Sequence, residues 1–165
     1  MATRPALRIE KTTEHDIPLI LTFIRELAQY EKLGDAVSTS EERLRTNLFG
    51  PKPYAEAVIA YENDEPVAFA LYFFNYSTFV GLPGLYLEDI FVRPEFRGSG
   101  IGRQLFTFLA QTALKRGCGR MEWAVLNWNE QAIRFYQKLG ANPMREWTVF
   151  RLSQQKLGEL IAKSV

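Results

Sequence analysis

The passage from Tyr86 to Gly102, YLEDIFVRPEFRGSGIG, constrains this chain more than any other. An apolar strand pattern leads through a short loop into Arg97-Gly98-Ser99-Gly100-Ile101-Gly102 and directly into an amphipathic helix pattern. Small residues let a ligand approach the backbone, and the start of a helix offers unpaired N–H groups at the positive end of its dipole. A pyrophosphate suits such a turn, and Arg97 and Arg103 would add charge-assisted contacts to it. Two other glycine fingerprints fail. A dinucleotide-binding G-x-G-x-x-G beginning at Gly98 needs glycine at position 103, where Arg103 stands, and no G-K-[ST] ending exists for a nucleotide P-loop.

The rest of the chain frames this turn. Leu7 to Lys11 reads as a strand. A helix follows that Thr13 would cap, with Asp16 three residues on and Pro18 in its first turn. Its apolar stripe is Ile17, Ile20, Leu21, Ile24, Leu27 and Ala28. Ser38 to Ser40 ahead of Glu41 and Glu42 start a second helix, with Leu44 and Leu48 on its inner side. Ala55 to Tyr61 and Pro66 to Tyr76 form an antiparallel hairpin, Ser77 to Gly84 a loop, and Leu85 to Val92 a strand. The helix opened by Gly98 to Gly102 ends at Gly117. A strand at Met121 to Leu126, a helix at Glu130 to Leu139 stopped by Gly140, a last strand at Trp147 to Leu152 and a helix at Gln154 to Lys163 complete the order. This is an α/β chain with a mixed sheet, expected to form a single domain over residues 1–165.

Of the 165 residues 47% are hydrophobic, enough for one domain that buries roughly two-thirds of its unfolded surface. No apolar run reaches the length of a membrane span, and the N-terminus lacks the apolar core of a signal peptide. A single cysteine, Cys118, cannot form an internal disulfide, so a cytoplasmic location is expected. Residues 1–92 hold 8 Lys/Arg against 14 Asp/Glu, and residues 93–165 hold 12 against 5. That division fits one polyanionic and one cationic partner. With no dense basic run, nucleic acid is not an expected partner, nor is a membrane.

The pattern R-x-x-G-x-G at Arg97 to Gly102 resembles the pyrophosphate loop of the GNAT acetyltransferases. YLEDIFV, RPEFRGSGIG, AVLNWNEQAIRFYQKLGA and the N-terminal IRELAQYEK are similar to the spermidine/spermine N-acetyltransferase family, closest to its thialysine-type branch. The similarity runs from about Leu7 to Leu152. It implies the GNAT fold, a central mixed, largely antiparallel twisted sheet flanked by helices. It also implies acetyl-CoA as donor and a homodimer; from the residues themselves no metal is expected.

Acetyl transfer to an amine requires a deprotonated nitrogen, hydrogen-bond donors for the thioester oxygen, and an acid for the departing thiolate. The resemblance makes Tyr136 the acid and Glu88 the base acting through water, with Asp89 holding the amine. Neighbouring strand residues point to opposite faces, so Glu88 and Asp89 share one pocket only if a bulge intervenes. The backbone of Ile90, Phe91 and Val92 would pair with the pantetheine amides. Cofactor contacts are expected from Arg97, Gly98, Ser99, Gly100, Ile101, Gly102, Arg103, Asn129, Phe135 and Tyr136; Asn129 also reads as a helix N-cap, and Phe135 as core or a pantetheine wall.

Polyamine-specific relatives carry an acidic residue and a tryptophan in the loop before the LED strand, where this chain has Ser77 and Phe79. Those two are the remaining substrate candidates, and the loss of a carboxylate points to a short cationic amine such as thialysine rather than spermine. A catalytically silent acetyl-CoA sensor or partner module, and a protein or peptide N-acetyltransferase, are the alternatives. His15 and Cys118 lie too far apart in sequence to suggest a nucleophilic pair, and zinc-ligand spacing is absent.

Overall fold

A computed structural model describes residues 7–163. The chain divides into two compact units, one up to Trp128 and one from Asn129 onward.

The first unit is built on five strands in the order β1 (Leu7–Lys11), β2 (Glu56–Glu62), β3 (Glu65–Ser77), β4 (Leu82–Val92), β5 (Arg120–Trp123). The first four are antiparallel neighbours, and β5 runs parallel to β4. A parallel neighbour requires a crossover, and helix α3 (Ile101–Lys115) supplies it. Asn63 and Asp64 close the β2–β3 hairpin with positive φ of 50° and 64°, the left-handed pair that a two-residue turn demands.

Helices α1 (Ile17–Tyr30) and α2 (Glu41–Phe49) cover one face of the sheet. The chain enters α1 through a capping box: Asp16 Oδ2 accepts from the Thr13 N–H at 2.7 Å and the Thr13 hydroxyl at 3.0 Å. Ser40 Oγ caps α2 by accepting from the Arg43 N–H at 3.3 Å. The helical stripe Ile17, Ile20, Leu21, Phe23 and Leu27 packs on Ala57, Ile59, Phe69 and Phe91, with Phe23 stacked on Phe69 at 5.2 Å. Truncating a ring so placed costs about 3–5 kcal/mol. Period-2 alternation sends Val58, Ala60, Ala68, Ala70, Leu85 and Leu87, all buried, to the opposite face, where α3 lies across the strands and buries Ile101, Leu105, Phe106 and Leu109. The small side chains of that alanine row let the helix come close.

Arg93 locks α1 to the end of β4. Its guanidinium bonds Glu26 twice, at 2.9 and 3.0 Å, donates to the Pro66 carbonyl at 2.8 Å, and lies over the Phe23 ring. A bidentate, half-buried pair of this kind holds geometry as well as charge.

The second unit contains α4 (Glu130–Lys138) and α5 (Gln154–Ala162), the latter capped by Ser153 Oγ accepting from the Lys156 N–H at 3.3 Å. Three expectations change. The strand expected at Leu85 begins at Leu82, because pairing with β3 continues through Ser77 opposite Leu82. The strand expected over Met121 to Leu126 covers only Arg120 to Trp123. No strand forms at Trp147 to Leu152, where Trp147, Val149, Phe150 and Leu152 are exposed. An alternating apolar pattern allows a strand, but a ladder needs a neighbour to satisfy its backbone groups, and no other strand exists among the described residues of that unit.

Candidate active site

The site begins with a change of character inside β4. Leu71 of β3 pairs with Asp89, and the next residue, Tyr72, pairs with Leu87, so Glu88 is an extra residue without a partner on β3. Such a bulge resets the pleat. Leu85 and Leu87 pack toward α3, whereas Asp89 and Phe91 turn to the α1 side; in a regular strand all four would share a face. The bulge that the two adjacent carboxylates require is present, and Glu88 is exposed upon it.

The pairing with β5 stops at the same point. Its ladder runs from Gly84 opposite Arg120 to Leu87 opposite Trp123. From Asp89 to Val92, β4 pairs with β3 alone among the described residues. The backbone groups that β4 turns to its other edge over this stretch, those of Ile90 and the Val92 N–H, are left without a strand partner among the described residues. Phe91 is turned away from that edge: the Arg93 N–H bonds the Val67 carbonyl, so alternation gives the Phe91 backbone to β3, and its side chain is buried against Tyr30.

This edge leads into the glycine turn. Gly98 and Gly100 adopt positive φ of 75° and 89°. A side chain at either would be strained, and around Gly98 there is open space. Gly100 is the N-cap of α3 and gives no side-chain hydrogen bond to its first turn. The N–H groups of Ile101, Gly102 and Arg103 are thus left for an anion. The Ile101 side chain is buried beneath α3, so only its backbone N–H is left at the turn. The Ser99 hydroxyl donates back to the Phe96 carbonyl at 2.6 Å, fixing the loop. Arg97 is turned toward α1: its Nε donates to the Val92 carbonyl at 2.8 Å, and its guanidinium lies over the Tyr30 ring at 4.3 Å and the Phe91 ring at 5.4 Å. A strand edge, glycines in left-handed conformations and an uncapped helix start together fit the pantetheine and pyrophosphate of a coenzyme A thioester.

Burial pushes the Asp89 carboxyl up to about 6, and the charges of Glu88 and Glu31 add to the rise. Glu31, at the end of α1, is itself raised by burial. Three carboxylates therefore share this neighbourhood. Glu31 was not among the residues singled out from sequence, although it lies in the IRELAQYEK segment. Beside it Tyr30 contacts Phe91 and, at 6.0 Å, Trp128. No strand alternation or helical period points to a residue just past a helix end, so only the family segment carried that signal.

Ser77 and Phe79 stand elsewhere. Ser77 pairs with Leu82, six residues before Glu88, about 20 Å along the strand. Ser77 is buried, its hydroxyl accepting from the Val80 N–H and an Arg120 N–H, each at 3.3 Å, and Phe79 is almost fully exposed at the turn. Within one chain these two do not join the carboxylates.

In the second unit, Asn129 caps α4, its Oδ1 accepting from the Ala132 N–H at 3.2 Å. Phe135 and Tyr136 lie on the helix that it starts, their rings 5.6 Å apart. Elsewhere, His15 is exposed, and the half-buried Cys118 thiol is raised by burial, as suits an inert thiol.

Known proteins resemble this chain in sequence and, separately, in fold. A thialysine N-epsilon-acetyltransferase of Bos taurus is 42% identical over 94% of this chain and 97% of its own length. An L-ornithine N5-acetyltransferase of Arabidopsis thaliana is 32% identical over 91% of this chain and 86% of its own length. An integron cassette protein from the mobile metagenome of V. cholerae superposes with a TM-score of 0.78 and 29% identity, covering 94% of this chain and 97% of its own. The model of the acetyltransferase (GNAT) family matches residues 22–141, and the chain belongs to that family.

Proposed function

We propose that this protein transfers the acetyl group of acetyl-CoA to the terminal primary amine of a small cationic acceptor of the thialysine, ornithine or short diamine type. The observation that carries the reading is the coincidence at Glu88: the bulge, the end of the β5 ladder and the first carboxylate all fall on one residue. Acetyl-CoA supplies the acyl group as a thioester.

Glu88 accepts a proton from the acceptor ammonium through water, leaving a nitrogen lone pair to attack the thioester carbon. The freed β4 edge at Ile90 and Val92 donates to the carbonyl oxygen as charge grows there. Tyr136 gives its phenolic proton to the sulfur as the C–S bond breaks, and recovers one from the acetylated nitrogen. Asp89 and Glu31 hold the acceptor's positive charge. Phe135 and Asn129 complete the cofactor side, and residues 1–165 act as one catalytic domain. The protein works in the cytoplasm as a homodimer, for which the exposed Tyr76, Phe79, Val80 and Leu82 at the β3–β4 turn offer an apolar contact.

Thiol release on a panel of thialysine, ornithine, lysine, diamines, spermidine and spermine tests the reading. Turnover is expected on the short amines, with spermine the poorer acceptor; silence on all of them would discard amine acetylation. Tyr136→Phe is expected to lower kcat about 100-fold with little change in acetyl-CoA affinity. An unchanged kcat would remove Tyr136 as the acid.

A further inference from the structure

Lys32 follows Glu31 directly and adopts a left-handed backbone conformation, φ 60°, just past the end of α1. Its Nζ lies over the Trp128 ring, 5.7 Å from the centroid. Trp128 packs on Tyr30, and Tyr30 on Phe91, two residues from Asp89. Among the described residues Lys32 makes no salt bridge, although Glu31 is its neighbour and Asp89 feels the charge of Glu31. Its ammonium rests on a π face instead, a hold weak enough to yield to an anion.

The neighbourhood thus offers two kinds of charge. Glu88, Asp89 and Glu31 suit ammonium groups, and Lys32 suits a carboxylate. Only a zwitterion with an additional amine satisfies both. A diamine or polyamine leaves Lys32 without a partner and meets its repulsion as well. From this juxtaposition we infer that Lys32 is a specificity residue, pairing with the acceptor's α-carboxylate and so selecting diamino acids over diamines of equal reach. The inference rests on the amine-acetyltransferase reading and adds the acceptor class to it.

Ornithine and putrescine carry the same spacing of amines and differ by the α-carboxylate, so their ratio of kcat/KM isolates its contribution. The wild type is expected to favour ornithine. Lys32→Met should lower kcat/KM for ornithine about tenfold, through KM, and leave putrescine within about twofold. Lys32→Arg should retain most of the preference, because it keeps the charge and the π contact. An unchanged KM for acetyl-CoA in both variants shows that the fold and donor site persist. A wild type without preference, or a parallel loss on both amines in Lys32→Met, overturns the role of Lys32 while leaving the acetyltransferase reading in place. Silence of the wild type on the whole amine panel, thialysine and lysine included, overturns both.

Discussion

The two halves of β4 obey different rules. From Leu82 to Leu87 the strand gains a neighbour on each side from Gly84 onward, and it buries Leu85 and Leu87 toward α3. From Glu88 to Val92 it carries two adjacent carboxylates, keeps one neighbour from Asp89 onward and runs out into a loop with glycines in left-handed conformations. The first half spends its backbone groups on the sheet. The second withholds one edge from it, and that edge is what a ligand can use. A single inserted residue thus separates a half committed to the sheet from a half with an open edge, and each half is expected to respond to perturbation without the other.

Deleting Glu88 is the sharpest break. Removal leaves Leu87 followed by Asp89, and regular alternation then sends Leu87 to the α3 side and Asp89 to the α1 side, where each already points. The deletion variant is expected to fold, with a melting temperature close to the wild type, and to lose about 10²–10⁴-fold in kcat/KM. Loss of fold instead of activity, read by circular dichroism, would deny that the bulge exists for the site.

The first half should respond in the opposite sense. Leu85 is fully buried, and Leu85→Ala is expected to cost about 3 kcal/mol and about 10 °C in melting temperature. Activity per folded molecule should remain near wild type. A matching collapse of kcat/KM at a temperature where the variant is folded would show that the halves are not independent.

The smallest effect separates charge from packing within the second half. Asp89 binds its proton more tightly in the folded chain, where burial and its acidic neighbours push it to about 6, than an ordinary aspartate does. The folded state therefore holds more protons than the unfolded one between about pH 4 and pH 6, and stability contributed by this group falls as pH rises through that window. Asp89→Asn is expected to stabilise the protein at pH 7 by up to about 2 kcal/mol, with the gain vanishing near pH 4, and to raise KM for the amine. A gain that is flat with pH would assign the effect to packing.

Much of this was legible from residue order. The capping residues Thr13 and Ser40, the stripe of α1, and the strand–glycine–helix passage report local preferences, so they survive translation into structure almost residue for residue. Phe23 escaped the expected stripe because an aromatic on the flank of a helix is buried only if a partner such as Phe69 waits on the sheet. Phe106 and Ala113 complete the buried side of α3 for the same reason.

By itself the sequence determined that a helix must start on a glycine turn after a strand, and that two carboxylates sit together near its entrance. Local backbone conformation and short-range periodicity encode such things. Only the tertiary structure decided where the ladder between β4 and β5 ends, which face Asp89 takes, that Arg97 turns back onto Tyr30, and that Trp147 to Leu152 makes no strand. Each depends on whether a distant segment supplies a hydrogen-bonding or packing partner, and the alternation of a strand records only which faces exist, never what comes to meet them.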